Sequence, residues 1–116
     1  MGRLTTHVLD TAQGCPASGV AVLLYRVKPE RELIAEASTN ADGRLDAPIL
    51  DDAAFASGVY ELVFQAGKYF AAHLGDLPDP PFVDEVVIRF GIANPDQHYH
   101  VPLLVSPWSY STYRGS

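Results

Sequence analysis

The sequence predicts an all-β fold, a two-sheet sandwich of seven or eight short strands with one short helix. Short segments of alternating hydrophobicity recur at near-regular spacing along the chain, and nine Gly and nine Pro punctuate them. Asn40-Ala41-Asp42-Gly43 is a strong turn signal, because Asp and Gly tolerate the left-handed backbone that tight turns need. With 116 residues the chain is expected to form one domain, residues 1–116, with a modest core. On pattern alone an immunoglobulin-like sandwich fits as well as any other.

The first strand is expected over residues 4–10, with Thr5, His7 and Leu9 on one face and Leu4, Thr6, Val8 and Asp10 on the other. A polar loop follows at 11–19, in which Gly14-Cys15-Pro16 reads as a turn. Residues 19–27 are almost wholly apolar, as in a strand buried on both faces. Pro29-Glu30 turns the chain, and 32–39 alternates loosely around Leu33, Ala35 and Ala37. Arg44 directly follows the 40–43 turn. In the weaker stretch 45–57, Asp51-Asp52-Ala53-Ala54-Phe55 fits a helical turn or a loop. Residues 58–65 alternate cleanly, with Tyr60, Leu62 and Phe64 inward. The stretch 67–74, bounded by Gly67 and Gly75, is the one short helix. Pro78, Pro80 and Pro81 make 77–82 a rigid extended connection. Residues 85–93 form a strand with Val86, Ile88, Phe90 and Ile92 on one side.

The last stretch is the most informative. His98-Tyr99-His100-Val101-Pro102-Leu103-Leu104-Val105 sets Tyr99, Val101, Leu103 and Val105 against His98, His100, Pro102 and Leu104. Ser106-Pro107 breaks the pattern, and a second, aromatic and hydroxyl-rich strand follows. Domain ends usually trail off in small polar residues and fray. An end that stays strand-like to Tyr113-Arg114-Gly115-Ser116 is expected to be tied down and to line a site.

Composition excludes several functions. The chain is 47% hydrophobic and 19% charged, as in a folded soluble protein. A net charge of −6, with eight scattered Lys and Arg, argues against nucleic acid or an anionic membrane as partner. The one cysteine, Cys15, allows neither an internal disulfide nor a thiolate zinc cluster. No apolar run approaches the ~18 residues that would span a bilayer, and the first residues lead into a strand pattern without the apolar core of a secretory signal. The expected location is the cytoplasm.

Of the four histidines, His73 falls in the helix with no neighbour to work with, and a surface role is expected for it. His98 and His100, two apart on a strand, share a face at roughly 7 Å. With His7 they would make a three-imidazole metal site, but no carboxylate or thiolate offers a supporting ligand, so neither metal nor cofactor is expected. His98 otherwise simply caps the strand edge after Asp96-Gln97.

The block 98–104 followed by the terminal Tyr113-Arg114-Gly115-Ser116 resembles the transthyretin-like 5-hydroxyisourate hydrolases, over essentially the whole chain. Leu4-Thr5-Thr6-His7-Val8-Leu9-Asp10-Thr11 and Thr39-Asn40-Ala41-Asp42-Gly43-Arg44 match two further blocks of that family. The resemblance implies a transthyretin fold, a homotetramer built as a dimer of dimers, and a catalytic His7, Arg44 and His100. It implies a pocket wall made by Tyr113, Arg114, Gly115 and Ser116, with His98 accessory. Cys15 and Trp108 fall outside the matched blocks.

The implied reaction is hydrolysis of 5-hydroxyisourate to 2-oxo-4-hydroxy-4-carboxy-5-ureidoimidazoline, downstream of urate oxidation. It needs an activated water, a stabilised oxyanion and a proton for the leaving nitrogen. Imidazole accepts and returns protons near neutrality, and a guanidinium holds a planar polar ligand or an oxyanion. Which imidazole is the base is left open. So short a chain has little room for a deep pocket, which points to a cleft shared at a two-fold subunit interface. The alternatives are a carrier of the transthyretin kind, which holds an iodinated aromatic hormone in the same interfacial channel, and a structural interaction module with incidental histidines.

Overall fold

The computed structural model describes residues 2–115. In chain order the elements are β1 (Arg3–Asp10), β2 (Cys15–Pro16), β3 (Ala21–Arg26), β4 (Glu32–Ser38), β5 (Leu50–Asp51), a 3-10 turn (Asp52–Ala54), β6 (Gly58–Phe64), α1 (Ala66–His73), β7 (Val86–Ile92), β8 (His98–Val105) and β9 (Tyr110–Thr112). Strands β2, β1, β8 and β9 lie side by side in one sheet, with β5 also paired to β1. The second sheet runs β4-β3-β6-β7.

The pairing of β1 with β8 places the histidines. These two strands run parallel, with Arg3 opposite His98, Thr5 opposite His100 and His7 opposite Pro102. The other paired strands are antiparallel. A parallel neighbour cannot be reached by a tight turn, and here the chain builds the whole second sheet before returning as β8.

Alternation along each strand produces the core. β1 buries Leu4, Thr6, Val8 and Asp10, and β8 buries Tyr99, Val101, Leu103 and Val105. Val22, Leu24, Tyr60, Leu62, Phe64, Val86 and Ile88 join them from the other sheet in one continuous cluster. Burying each such side chain contributes roughly 1.5–3 kcal/mol. With one face of β1 and β8 committed to this core, Thr5, His7, His98 and His100 are left on the other.

The helix fastens the end of β1. Tyr69 Oη donates to Asp10 Oδ2 at 2.8 Å, while Asp10 Oδ1 accepts from the backbone of Ala12 and Gln13, both at 2.9 Å. Asp10 is fully buried, so these bonds compensate its desolvation. Burial, then the bond to Asp10, pushes the Tyr69 hydroxyl well above its ordinary value.

Several local expectations change. β3 is buried on one face only, with Ala21, Leu23 and Tyr25 half-exposed; on that outer side the Arg31 guanidinium lies over the Tyr25 ring, 3.8 Å from its centre. β4 is an edge strand whose alternation is offset by a bulge at Leu24/Tyr25, leaving Leu33 exposed and bringing Ile34 and Ala35 against the core. Cys15 and Pro16 pair with β1 rather than forming a turn. Asp52–Ala54 takes the helical-turn option, and residues 77–82 bend rather than extend. His73 is exposed, as expected, and stacks on Tyr69 with ring centroids 4.2 Å apart.

Candidate active site

The polar face of the β1–β8 pair carries a chain of hydrogen bonds. His7 Nδ1 and His100 Nε2 are 2.7 Å apart, their rings stacked at 4.9 Å between centroids. The other nitrogen of His100, Nδ1, lies 2.8 Å from Thr5 Oγ1, and the same hydroxyl lies 2.8 Å from His98 Nε2. His7 is only half-buried, and its Nε2 has no partner among the described residues. No buried side-chain nitrogen or oxygen there lacks one, so this Nε2 is open to solvent.

Arg44 reaches the same place through its turn. Asn40 Oδ1 accepts from the backbone N–H of Asp42 and Arg44, and the Val8 N–H donates to the Gly43 carbonyl at 2.8 Å. Gly43 has φ +72°, and a Cβ there would lie 2.5 Å from the Val8 carbonyl oxygen, so only glycine permits this docking. The residue after it bridges to His7 in the backbone.

The carboxy-terminal segment closes the other side. The Gly115 N–H donates to the His100 carbonyl at 2.7 Å. A Cβ on Gly115 would stand 2.8 Å from His100 Cδ2, so the imidazole packs directly against bare backbone. Proline is normally excluded from a strand with neighbours on both sides. Pro102 is tolerated because it faces the gap between β9 and Gly115, where its carbonyl accepts from Thr112 Oγ1 at 2.7 Å and no ladder needs its missing N–H.

These groups line a cleft of ≈ 480 Å³, within the usual range for small-molecule sites. His7, Arg44, His98, His100, Tyr113 and Gly115 all contribute, so the structure brings six of the eight sequence-derived candidates together. Arg114 is not on the lining. Its guanidinium lies 3.9 Å from the centre of the Tyr99 ring and donates to Gln97 Oε1 and the His98 carbonyl, which anchors the tail from outside. Ser116 lies outside the described residues. Thr5, Thr6, Leu45 and Ala47 are lining residues that the sequence reading missed. For Thr5 the signal was its place on the His7 face, but nothing in the sequence showed which strand lay alongside.

Burial lowers the pKa of both imidazoles. For His7 the second cause is the Arg44 guanidinium; for His100 the further causes are His7, then Arg44, then His98. A neutral imidazole beside a permanent cation can take a proton from water while the cation faces an anion. Among the described residues no group of three or more His, Cys, Asp or Glu is placed to hold a metal ion. His98 and His100 are edge-on, 6.4 Å apart, with one nitrogen of each engaged by Thr5.

Known proteins agree with this frame. The HIUase/Transthyretin family model matches residues 4–115. The chain is 62% identical to a 5-hydroxyisourate hydrolase of Pseudomonas aeruginosa over 117 aligned residues, covering 100% of this chain and 93% of that protein. The structure of Klebsiella pneumoniae 5-hydroxyisourate hydrolase superimposes with a TM-score of 0.83 at 37% identity, over 100% of both chains. An (S)-allantoin synthase superimposes with a TM-score of 0.94 at 52% identity, over 99% of this chain but 44% of the other, so this chain spans less than half of that protein. With the fold, the matched span and these identities in agreement, the chain belongs to the HIUase/transthyretin family.

Proposed function

We propose that this protein hydrolyses 5-hydroxyisourate to 2-oxo-4-hydroxy-4-carboxy-5-ureidoimidazoline in purine catabolism. The observation that carries the reading is the hydrogen-bonded His7–His100 pair opening onto the same cleft as Arg44. His7 Nε2 takes a proton from water, and the hydroxide attacks the amide carbonyl. Arg44 holds the planar substrate and offsets charge on the oxyanion. The proton then returns to the leaving nitrogen as the ring opens. His98, Tyr113, Gly115 and Ser116 contribute to substrate binding, and Arg114 supports that wall through Tyr99 and Gln97.

The chain acts in this reading as a single cytoplasmic domain within a homotetramer, a dimer of dimers. What supports assembly is the setting of the cleft, on the outer face of a sheet beside the exposed Tyr110 and Tyr113. A second subunit laid over that face would shield the reacting centre from bulk solvent while leaving room for the attacking water. Sedimentation analysis of the purified protein tests this, and a monomer that turns over at full rate would overturn it.

The test of function is addition of the protein to freshly generated 5-hydroxyisourate, followed by its ultraviolet decay. Decay well above the spontaneous rate is expected. A rate equal to the spontaneous one, with tight thyroxine binding instead, would support the carrier reading.

A further inference from the structure

We infer that Thr5 is a positioning residue that joins His98 to the His7–His100 pair, making one proton path from the cleft to a third imidazole. This deepens the hydrolytic reading and rests on it. Thr5 Oγ1 is 2.8 Å from His98 Nε2 and 2.8 Å from His100 Nδ1, and no third partner of this hydroxyl occurs among the described residues. A hydroxyl has a single proton and cannot donate to both imidazoles; in this path it donates to one and accepts from the other.

That restriction fixes the tautomers all along the chain. If Thr5 donates to His98, then His100 donates through Nδ1 and accepts through Nε2. His7 then donates through Nδ1, and its Nε2 presents a bare lone pair to the cleft. If Thr5 donates to His100, every bond reverses and His7 Nε2 carries a proton. The first polarity is a base and the second an acid, in the order that water attack and leaving-group protonation require.

The transfers balance. Water gives a proton to His7 Nε2, the His7 Nδ1 proton passes to His100 Nε2, the His100 Nδ1 proton to the Thr5 oxygen, and the Thr5 proton to His98 Nε2. The hydroxide left behind attacks the carbonyl, and the positive charge rests on His98. The reverse sequence protonates the leaving nitrogen and restores the first polarity. Among the described residues, the charged or titratable groups near His98 include His100, Arg114, which donates to the His98 carbonyl, and Arg3, opposite it on β1; His7, Arg44 and Tyr113 line the same cleft.

The test compares Thr5→Val, Thr5→Ser, His98→Gln and the double variant Thr5→Val/His98→Gln in 5-hydroxyisourate turnover, with the ring-nitrogen NMR of each. Thr5→Val is expected to lower kcat about tenfold or more with KM little changed, since it interrupts proton transfer rather than binding. Thr5→Ser should recover most of that loss, and the double variant should lose no more than Thr5→Val alone, because both cut one path. In the parent, His98 Nε2 and His100 Nδ1 should show opposite protonation, which Thr5→Val abolishes. An unchanged kcat in Thr5→Val, a Thr5→Ser as poor as Thr5→Val, or losses that multiply in the double variant would overturn the link. If Thr5→Val does not fold, His98→Gln carries the test on kcat alone, since His98 also lines the cleft and its loss can raise KM: a fall in kcat that tracks loss of the ring-nitrogen protonation pattern supports the path, and full kcat overturns it. If the parent itself turns nothing over, the hydrolytic reading fails, and the ring-nitrogen signals alone decide whether the link exists.

Discussion

His7 Nδ1 and His100 Nε2 are hydrogen-bonded at 2.7 Å although the residues lie 93 positions apart in the chain. One proton occupies that bond. Two imidazolium rings would set two donors and two positive charges against each other, so the pair resists double protonation, which is why His7 contributes to lowering the pKa of His100. The pair is a single acid–base unit with one face on the cleft.

Removing either imidazole should therefore disable the unit. His7→Ala and His100→Ala are each expected to lower kcat by about 10²–10⁴-fold, the usual weight of acid–base catalysis. Both rings lie on the face opposite the core, so thermal melting should show the fold retained. Full turnover in both variants would remove the pair from the mechanism.

The pH behaviour has a definite sign. Burial lowers both imidazoles in the folded state from an ordinary value of 6.5, with Arg44 a further cause for each. Below pH 6.5 the unfolded chain then binds more protons than the folded one. The contribution to stability is whole above pH 6.5 and is lost as pH falls through the lowered folded values. NMR titration should place both midpoints below 6.5, with the acid limb of kcat/KM there too. Arg44→Gln should move both midpoints upward, and midpoints unmoved by that change would contradict the assigned cause.

Gly115 makes a sharper test of geometry. A methyl group at that position would stand 2.8 Å from His100 Cδ2, so Gly115→Ala must move the ring or the tail. A displacement of this kind can cost up to about 10²-fold in rate. The expected result is a large fall in kcat with an unchanged melting temperature.

Tyr69→Phe separates stability from activity. It removes the hydroxyl that donates to the buried Asp10 and leaves Oδ2 with one partner fewer, Gln13 Nε2 remaining at 2.8 Å. Denaturant unfolding should show a loss of about 1–3 kcal/mol, while kcat stays near that of the parent.

Much of the fold was legible because burial on one side writes a period of two into the sequence. Tyr60, Leu62 and Phe64 point inward as the alternation of 58–65 requires, and so do Tyr99, Val101, Leu103 and Val105. The pattern misled where its premise failed. The apolar run 19–27 implied two covered faces, but β3 has one. At β4 a bulge shifts the phase, which no reading of residues one strand at a time detects.

The sequence by itself determined which residues of β1, β6 and β8 share a face, where Gly43 must turn the chain, and the resemblance that singles out His7, Arg44 and His100. Only the tertiary structure decided that β1 lies parallel to β8 in the register that sets Thr5 opposite His100 and sends Arg114 onto Tyr99. The physical reason is that alternation is a local consequence of backbone geometry, whereas the choice of neighbouring strand depends on how both sheets close over one core. Hydrogen bonds such as Thr5 to His98 exist only after that closure.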